Sequence, residues 1–453
     1  MRKYKLLLVF ALLLFVTLST SCKKYLDLRP DKRIRVPSTV SDLQGLLDNA
    51  NVMNKKAPTY DVLSSDEYFA TDAIYQSFSP NQRNAYIWEN YTYNYSNDWS
   101  LLYEGVYYSN VVLDGLNNIE RTRENSSQWD NVKGSALVYR CISFLKAAWT
   151  FSKTYDKETA AQDPGISLRT SSDFNQDVER ATVADTYSKI IGDLMVSIPL
   201  LPEKPVHVMR PSRQAAFGLL ARTYLSMRIY DSCLKYAGLC LSVGDELVDY
   251  NSTDILTIYP FGRAVLNKEV IMNQQVGLNH YGPGTTMRVD SVLLATYHPN
   301  DLRKPVFFRT RPDGYQFKGP YSGTYGVTFT GLATDEMILT RAECNARAGR
   351  ITEAMDDINN LLRMRYITGT FVELSASTAA EALVIILLER RKELYSRGLR
   401  WMDIKRLNKE GAGIVLSRTV GSTVFTLLPN ENRYALPLPQ DIILLTGIPQ
   451  NPR

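Results

Sequence analysis

Between Pro58 and Trp99 the chain gathers rings and acids without any persistent helical period. The run holds Asp61, Asp66, Glu67, Tyr68, Asp72, Tyr75, Tyr86, Trp88, Tyr91, Tyr93, Tyr95 and Trp99, set among Asn and Ser. Rigid aromatic faces stack on the apolar C–H faces of sugars, while Asn, Asp and Arg hydrogen-bond their hydroxyls. Such side chains lose little rotamer entropy on binding. Asp66, Tyr86, Trp88, Tyr91 and Tyr93 are the first candidate ligand contacts. Taken singly, each aromatic is better explained as packing. Taken together, packing and a share in a ligand surface account for them equally well. The same stretch raises a second chemistry, because a glycosidase needs only two carboxylates, and Asp61, Asp66, Glu67 and Asp72 keep that option open.

A second candidate set lies between Gly244 and Gly331, a stretch rich in Gly, Pro, Tyr and Asn. Loops held on a rigid scaffold are a common place for binding, and Tyr281, Tyr315, Tyr321 and Tyr325 are the candidates there. Motifs of other chemistries are missing. No G-x-S-x-G, H-E-x-x-H, G-x-x-x-x-G-K-[ST] or post-strand G-x-G-x-x-G occurs. Three His (His207, His280, His298) leave a Ser-His-Asp site unsupported, and no Cys/His spacing suits zinc. The sequence therefore points to binding rather than catalysis, with no catalytic residue, metal or cofactor expected.

The N-terminus carries a different chemistry. A basic start (Arg2, Lys3, Lys5), an apolar run Leu6–Leu18 and Ser19-Thr20-Ser21-Cys22 form a secretory signal. Small residues directly before Cys resemble a bacterial lipobox, with Leu at −4 rather than the usual −3. Cleavage would leave Cys22 to be acylated on its thiol and amine, and buried acyl CH₂ groups contribute about 0.8 kcal/mol each. Residues 1–21 are then signal and residues 22–36, charged and Pro-containing, an extended tether. The other four Cys sit on apolar helical faces. Cys233 and Cys240 are seven apart on a predicted helix, about 10 Å between Cα atoms, too far for a disulfide.

Positioning falls to helices. Ala342, Gly349, Ala354, Ile358 and Leu361 lie at helix-hairpin spacing, small residue facing small residue, with Gly349 where a left-handed turn is needed and Thr352 as N-cap. Arg210–Val243 repeats the pattern through Ala221, Tyr224, Tyr230, Cys233, Ala237 and Cys240. Further helices are expected over Asp98–Ile119, Val132–Tyr155 and Val183–Ser197, the last capped by Thr182 or Asp185. The two recognisable repeats are separated by about a hundred residues that do not fit, so the expected fold is mainly α. It is a tetratricopeptide-like solenoid interrupted by loop-rich insertions around 58–99 and 244–331 and a few short hairpins. One hairpin is expected at Val306–Phe308 with Tyr315–Phe317 around Pro312-Asp313-Gly314, another at Val424–Leu428 with Tyr434–Leu438.

At this point several dispersed motifs agree. The helical hairpin, Glu389-Arg390, Glu393-Leu394, Gly398, Arg400-Trp401, Asp403, Lys405-Arg406, Tyr434-Ala435-Leu436-Pro437-Leu438-Pro439-Gln440 and Pro449-Gln450-Asn451-Pro452 resemble the SusD/RagB family of outer-membrane nutrient-binding lipoproteins. One departure is Arg397, where the family commonly has an acid before the glycine. The resemblance implies a single SusD-like domain over 37–453 on a lipid-anchored, cell-surface protein of a Bacteroidetes outer membrane. That protein would bind oligosaccharide and pass it to a SusC-like TonB-dependent transporter. It also implies a ligand site largely in the N-terminal region, and a transporter contact near the Lys157–Arg180 loop. The alternatives are a peptide-capturing RagB-like protein and a periplasmic scaffold for protein partners.

Composition is neutral on ligand and adverse to one class. The chain has 453 residues, 45% hydrophobic and 22% charged, with 28 Tyr. Its formal net charge of +5 includes Arg2, Lys3 and Lys5 of the leader. The remaining excess is too small for a nucleic-acid partner.

Overall fold

Small residues at hairpin spacing let antiparallel helices approach closely, and the chain uses them repeatedly. The computed structural model describes residues 37–93, 95–262, 267–276, 286–324 and 326–453. Residues 40–453 cluster as one unit. Its principal helices are α1 (Val40–Leu47), α2 (Asp98–Leu116), α3 (Ser126–Phe151), α4 (Val183–Ser197), α5 (Arg213–Met227), α6 (Tyr230–Val243), α7 (Thr334–Arg347), α8 (Ile351–Arg363), α9 (Ala379–Glu393), α10 (Arg400–Asn408) and α11 (Gln440–Thr446). Consecutive helices pack in series: α2 on α3, α3 on α4, α4 on α5, α5 on α6, α7 on α8 and on α9. The decisive contact is α6 on α7, which joins two helices about ninety residues apart into one continuous stack. This is the interrupted solenoid expected from the repeats.

Local sequence explains the hairpins. Gly349 has φ +75° between α7 and α8, the left-handed conformation its position requires. A Cβ at Gly115 would lie 2.8 Å from Leu43 Cδ2, so the glycine lets α1 cross α2 without displacing the Leu43 side chain. Thr182 caps α4 by accepting from Asp185 N. The expected cap at Thr352 is displaced: α8 starts at Ile351 after Arg350. Cys141, Cys233, Cys240 and Cys344 are free and buried. No described helix is long and apolar enough to cross a membrane.

Among the described residues four two-stranded ribbons decorate the stack: β1 (Tyr68–Phe69) with β3 (Arg288–Val289), β2 (Val270–Met272) with β6 (Leu332–Ala333), β4 (Phe308–Arg311) with β5 (Gly314–Phe317), and β7 (Leu416–Val420) with β8 (Thr423–Leu427). The Pro-Asp-Gly turn closes β4–β5 in the register Phe308↔Phe317, but Val306 and Phe307 belong to a short helix rather than a strand. The second expected hairpin is corrected. Its turn is Gly421-Ser422, with Gly421 at φ +56°, and Tyr434–Leu438 forms no strand.

Two large hydrophobic cores result among the described residues. The helices share an aliphatic one built from residues such as Leu220, Ala221, Cys240, Met337 and Ile358. The insertions fill their own with rings, among them Tyr68, Tyr86, Tyr250, Phe307, Phe308, Phe317, Tyr321, Phe329 and Tyr395. Irregular segments cannot repeat a small aliphatic face. Aromatic side chains, which each bury 150–250 Å², close the gaps instead.

Charged runs at Glu389–Glu393 and Arg400–Arg406 are absorbed into buried ion networks. Arg303 binds Asp301 (2.6 Å), Glu389 (2.6 Å) and Glu393 (3.2 Å), and Arg365 links Glu393 (2.7 Å) to Glu269 (2.8 Å). Arg390 and Arg406 share Asp403, and Arg406 reaches Glu343 on α7. Arg397, the departure noted above, pairs with Asp335 at 2.9 Å and lies 4.4 Å over the Tyr321 ring. These networks tie α7, α9 and α10 to the second insertion.

Candidate functional site

Most of the expected ligand-facing aromatics are structural. Trp88 is 1% exposed, and Tyr86, Tyr91, Tyr93 and Tyr321 are also buried. Trp88 Nε1 donates to Ser64 O at 2.9 Å, and its backbone sits at φ +60°, a conformation that costs a non-glycine residue about 1–2 kcal/mol and persists only where packing enforces it. Tyr60, Tyr91 and Tyr93 stack on one another with centroids 5.3–5.5 Å apart. The Tyr86 hydroxyl accepts from Ala70 N at 2.9 Å, and its ring lies beneath the Arg418 guanidinium. Tyr321 donates to Glu269 Oε2 at 2.8 Å and meets the Tyr250 hydroxyl at 2.8 Å. The expectation that these five stack on a ligand is thus corrected: Tyr86, Tyr91, Tyr93 and Tyr321 build the insertions' core, and Trp88 packs into the core shared with the helices.

Asp66 is only partly buried, but its carboxylate is committed. Arg400 holds both oxygens at 2.6 and 2.7 Å, and Arg391 approaches at 3.2 Å while also binding Asp290. Burial alone would raise its pKa; the two guanidinium groups outweigh that and hold it well below the usual carboxylate range. Tyr315 on β5 stays partly exposed, with Lys304 Nζ 5.8 Å from its ring. Tyr281, Tyr325 and Cys22 lie outside the described residues.

An open aromatic pocket lies elsewhere. It is bounded by the N-terminal half of α2, the 167–178 segment and α11, and encloses about 330 Å³. Trp99, Tyr103 and Tyr107 come from one face of α2 at i, i+4, i+8, a spacing that stacks side chains along one side of a helix. Trp99 stacks on Tyr103 (4.5 Å, 19°), and Tyr107 stacks on Phe174 (4.8 Å, 27°). Phe174 is 74% exposed, and Leu444 and Leu445 of α11 are exposed as well.

The far wall is held by hydrogen bonds from α2 to loop backbone. Tyr103 donates to Ser167 O at 2.6 Å. Asn110 Nδ2 donates to Arg169 O (3.0 Å) and Ser171 O (3.1 Å), and Asp114 accepts from Ser172 N and Oγ. Arg140, paired with Asp193 of α4 at 2.7 Å, donates to Asn110 Oδ1 and fixes its orientation. Trp99 is 3% exposed, and sequence reasoning missed Tyr103, Tyr107 and Phe174 as a group. The i, i+4 tyrosines were a legible signal; Phe174, alone in a polar loop, was not.

This geometry can be set beside known proteins. A family model described as "Starch-binding associating with outer membrane" matches residues 24–225, and the SusD family model matches residues 312–450. The chain belongs to the SusD/RagB family. Among solved structures, a SusD superfamily protein from Bacteroides thetaiotaomicron superposes with a TM-score of 0.75 at 20% identity, covering 92% of this chain and 100% of that one. A SusD-like carbohydrate binding protein from Bacteroides vulgatus gives 0.67 at 19% identity, covering 90% and 97%. Another SusD-like carbohydrate binding protein, from Bacteroides fragilis, gives 0.67 at 15% identity, covering 89% and 98%. No curated protein matches the sequence. The SusD-like helical fold is shared with these structures, and the two family models leave residues 226–311, most of the second insertion, between them.

Proposed function

We propose that this SusD/RagB protein is a lipid-anchored, cell-surface protein of the outer membrane. It captures oligosaccharide and passes it to a partner SusC-like TonB-dependent transporter. The observation that carries the ligand reading is the solvent-facing Tyr107–Phe174 stack above a 330 Å³ pocket with hydroxyl and amide groups at its edge. Family membership and the carbohydrate-binding names of two structural neighbours support the same ligand class. Capture and release need no residue with a tuned pKa, so the reading assigns no catalytic group. In this reading residues 1–21 are signal, 22–36 tether and 37–453 one SusD-like domain, with Cys22 acylated. Tyr315, Tyr281 and Tyr325 remain proposed contacts of the second insertion.

Isothermal calorimetry of the mature chain against a glycan panel tests the ligand. Binding to at least one oligosaccharide is expected; binding to peptides alone would favour the RagB-like alternative. Replacing Cys22 with Ser should release the protein from the membrane fraction, and unchanged fractionation would remove the anchor from the proposal.

A further inference from the structure

The joint between α6 and α7 holds two thiols. We infer that Cys233 and Cys344 close a disulfide there and staple the two halves of the solenoid across the second insertion. This rests on the export reading above, because an exported chain meets an oxidising compartment. The register of the two helices places the pair. Arg347 of α7 lies 4.2 Å over the ring of Tyr230 of α6, and both side chains reach Glu410. At the other end of α6, Cys240 lies near Glu336, in the first turn of α7. The two helices therefore run antiparallel. One turn in from the Tyr230–Arg347 contact, three residues on along α6 and three back along α7, stand Cys233 and Cys344. Both are buried in the aliphatic core. Burial pushes the Cys233 thiol well above its usual pKa, and the neighbouring Cys344 thiol raises it further. Cys233 Sγ donates to Ala221 O at 3.3 Å, a weak thiol bond that holds little back. Cys141 instead faces α4, donating to Ile190 O, and Cys240 packs on Gly218 of α5; these two stay reduced.

The step is thiol–disulfide exchange with a disulfide carried by an oxidising thiol protein or by glutathione. One cysteine thiolate attacks the donor disulfide, forms a mixed disulfide and expels one donor thiolate. The second cysteine thiolate attacks that mixed disulfide and expels the other. The two cysteines together give up two protons and two electrons, and the donor disulfide becomes two thiols. Packing of α6 on α7 closes both thiols to solvent, so the exchange precedes the end of folding. The closed loop, residues 233–344, contains the whole second insertion. The bond thus restrains the unfolded chain at a joint that connectivity alone leaves loose.

The test maps disulfides by mass spectrometry after free thiols are alkylated in denaturant. Two samples are compared: the protein purified from the cell envelope, and the mature chain reduced, unfolded and refolded with oxidised glutathione. In both, a peptide pair joined through Cys233 and Cys344 is expected, with Cys141 and Cys240 alkylated. Reduction should lower the melting temperature of the parent by about 5 °C. It should not move that of Cys344→Ala, which keeps a small side chain at the joint. Alkylation of all four thiols after refolding overturns the inference, as does a parent melting temperature that reduction leaves unchanged. Four alkylated thiols in the envelope sample overturn it too when residues 1–21 have been removed. With those residues retained, the same result refutes the export reading and the inference with it.

Discussion

The aromatic core of the insertions and the open pocket on α2 are built from the same residue types and do opposite work. In the first, Tyr86, Tyr91 and Tyr93 are enclosed and their rings meet other rings. In the second, Tyr107 and Phe174 stack with one side left to solvent. The difference is the support beneath them. Irregular segments have no regular backbone ladder, so rings must fill the interior before any can be displayed. On α2 the backbone bonds are satisfied within the helix, the aliphatic core is supplied by the neighbouring helices, and the outward tyrosines are free to face a ligand. An aromatic-rich loop is therefore weaker evidence of a binding surface than an aromatic stripe on the outer face of a packed helix.

Four experiments can break or sharpen that contrast. The largest effect belongs to Trp88→Ala, which should cost about 3–5 kcal/mol in denaturant unfolding, because it empties an enclosed site and orphans Ser64 O. A loss below about 1 kcal/mol would put Trp88 in the display class instead. Next is Asp66→Ala, which leaves Arg400 and Arg391 facing each other without their shared acid. A stability loss of about 2–3 kcal/mol is expected, read from the shift in unfolding midpoint. If only glycan affinity moved, the carboxylate would belong to a ligand site.

Glu67 provides a pH signature of the enclosed region. Its carboxyl is buried, accepts from Ser396 N at 2.9 Å, and has its pKa pushed up to about 8, chiefly by burial. The folded state thus holds a proton that the unfolded state releases near pH 4.5. The associated stability is fully present below about pH 4.5 and is lost as pH rises towards 8. Glu67→Gln should flatten that decline, gaining about 1–2 kcal/mol at pH 8 relative to pH 5; parallel melting curves for variant and parent would refute the assignment. The smallest stability effect is that of Asp114→Asn, within about 1 kcal/mol. By loosening the Ser172 anchor it should lower glycan affinity several-fold, and an unchanged affinity would show that the wall holding Phe174 is set by other contacts.

Much of the scaffold was legible. Ala342, Gly349 and Ala354, and again Ala221, Cys233 and Ala237, marked helices that approach closely, and all but Gly349 are fully buried small residues. Burial of Trp88 and Tyr321 was not legible, because a ring in a loop has the same local sequence whether it points in or out. Nor was the neighbour of Tyr107: Phe174 is 67 residues away and its loop is placed by Asn110 and Asp114, whose partners are mostly backbone atoms that carry no sequence signal.

The sequence by itself determined the helices, their closely packed faces, and hence the family of folds, because periodicity and small-residue spacing act over a few turns of local chain. Only the tertiary structure decided which rings became core and which became surface. That choice depends on the volume left between segments far apart in the chain, and a volume of that kind is defined only once the segments have packed.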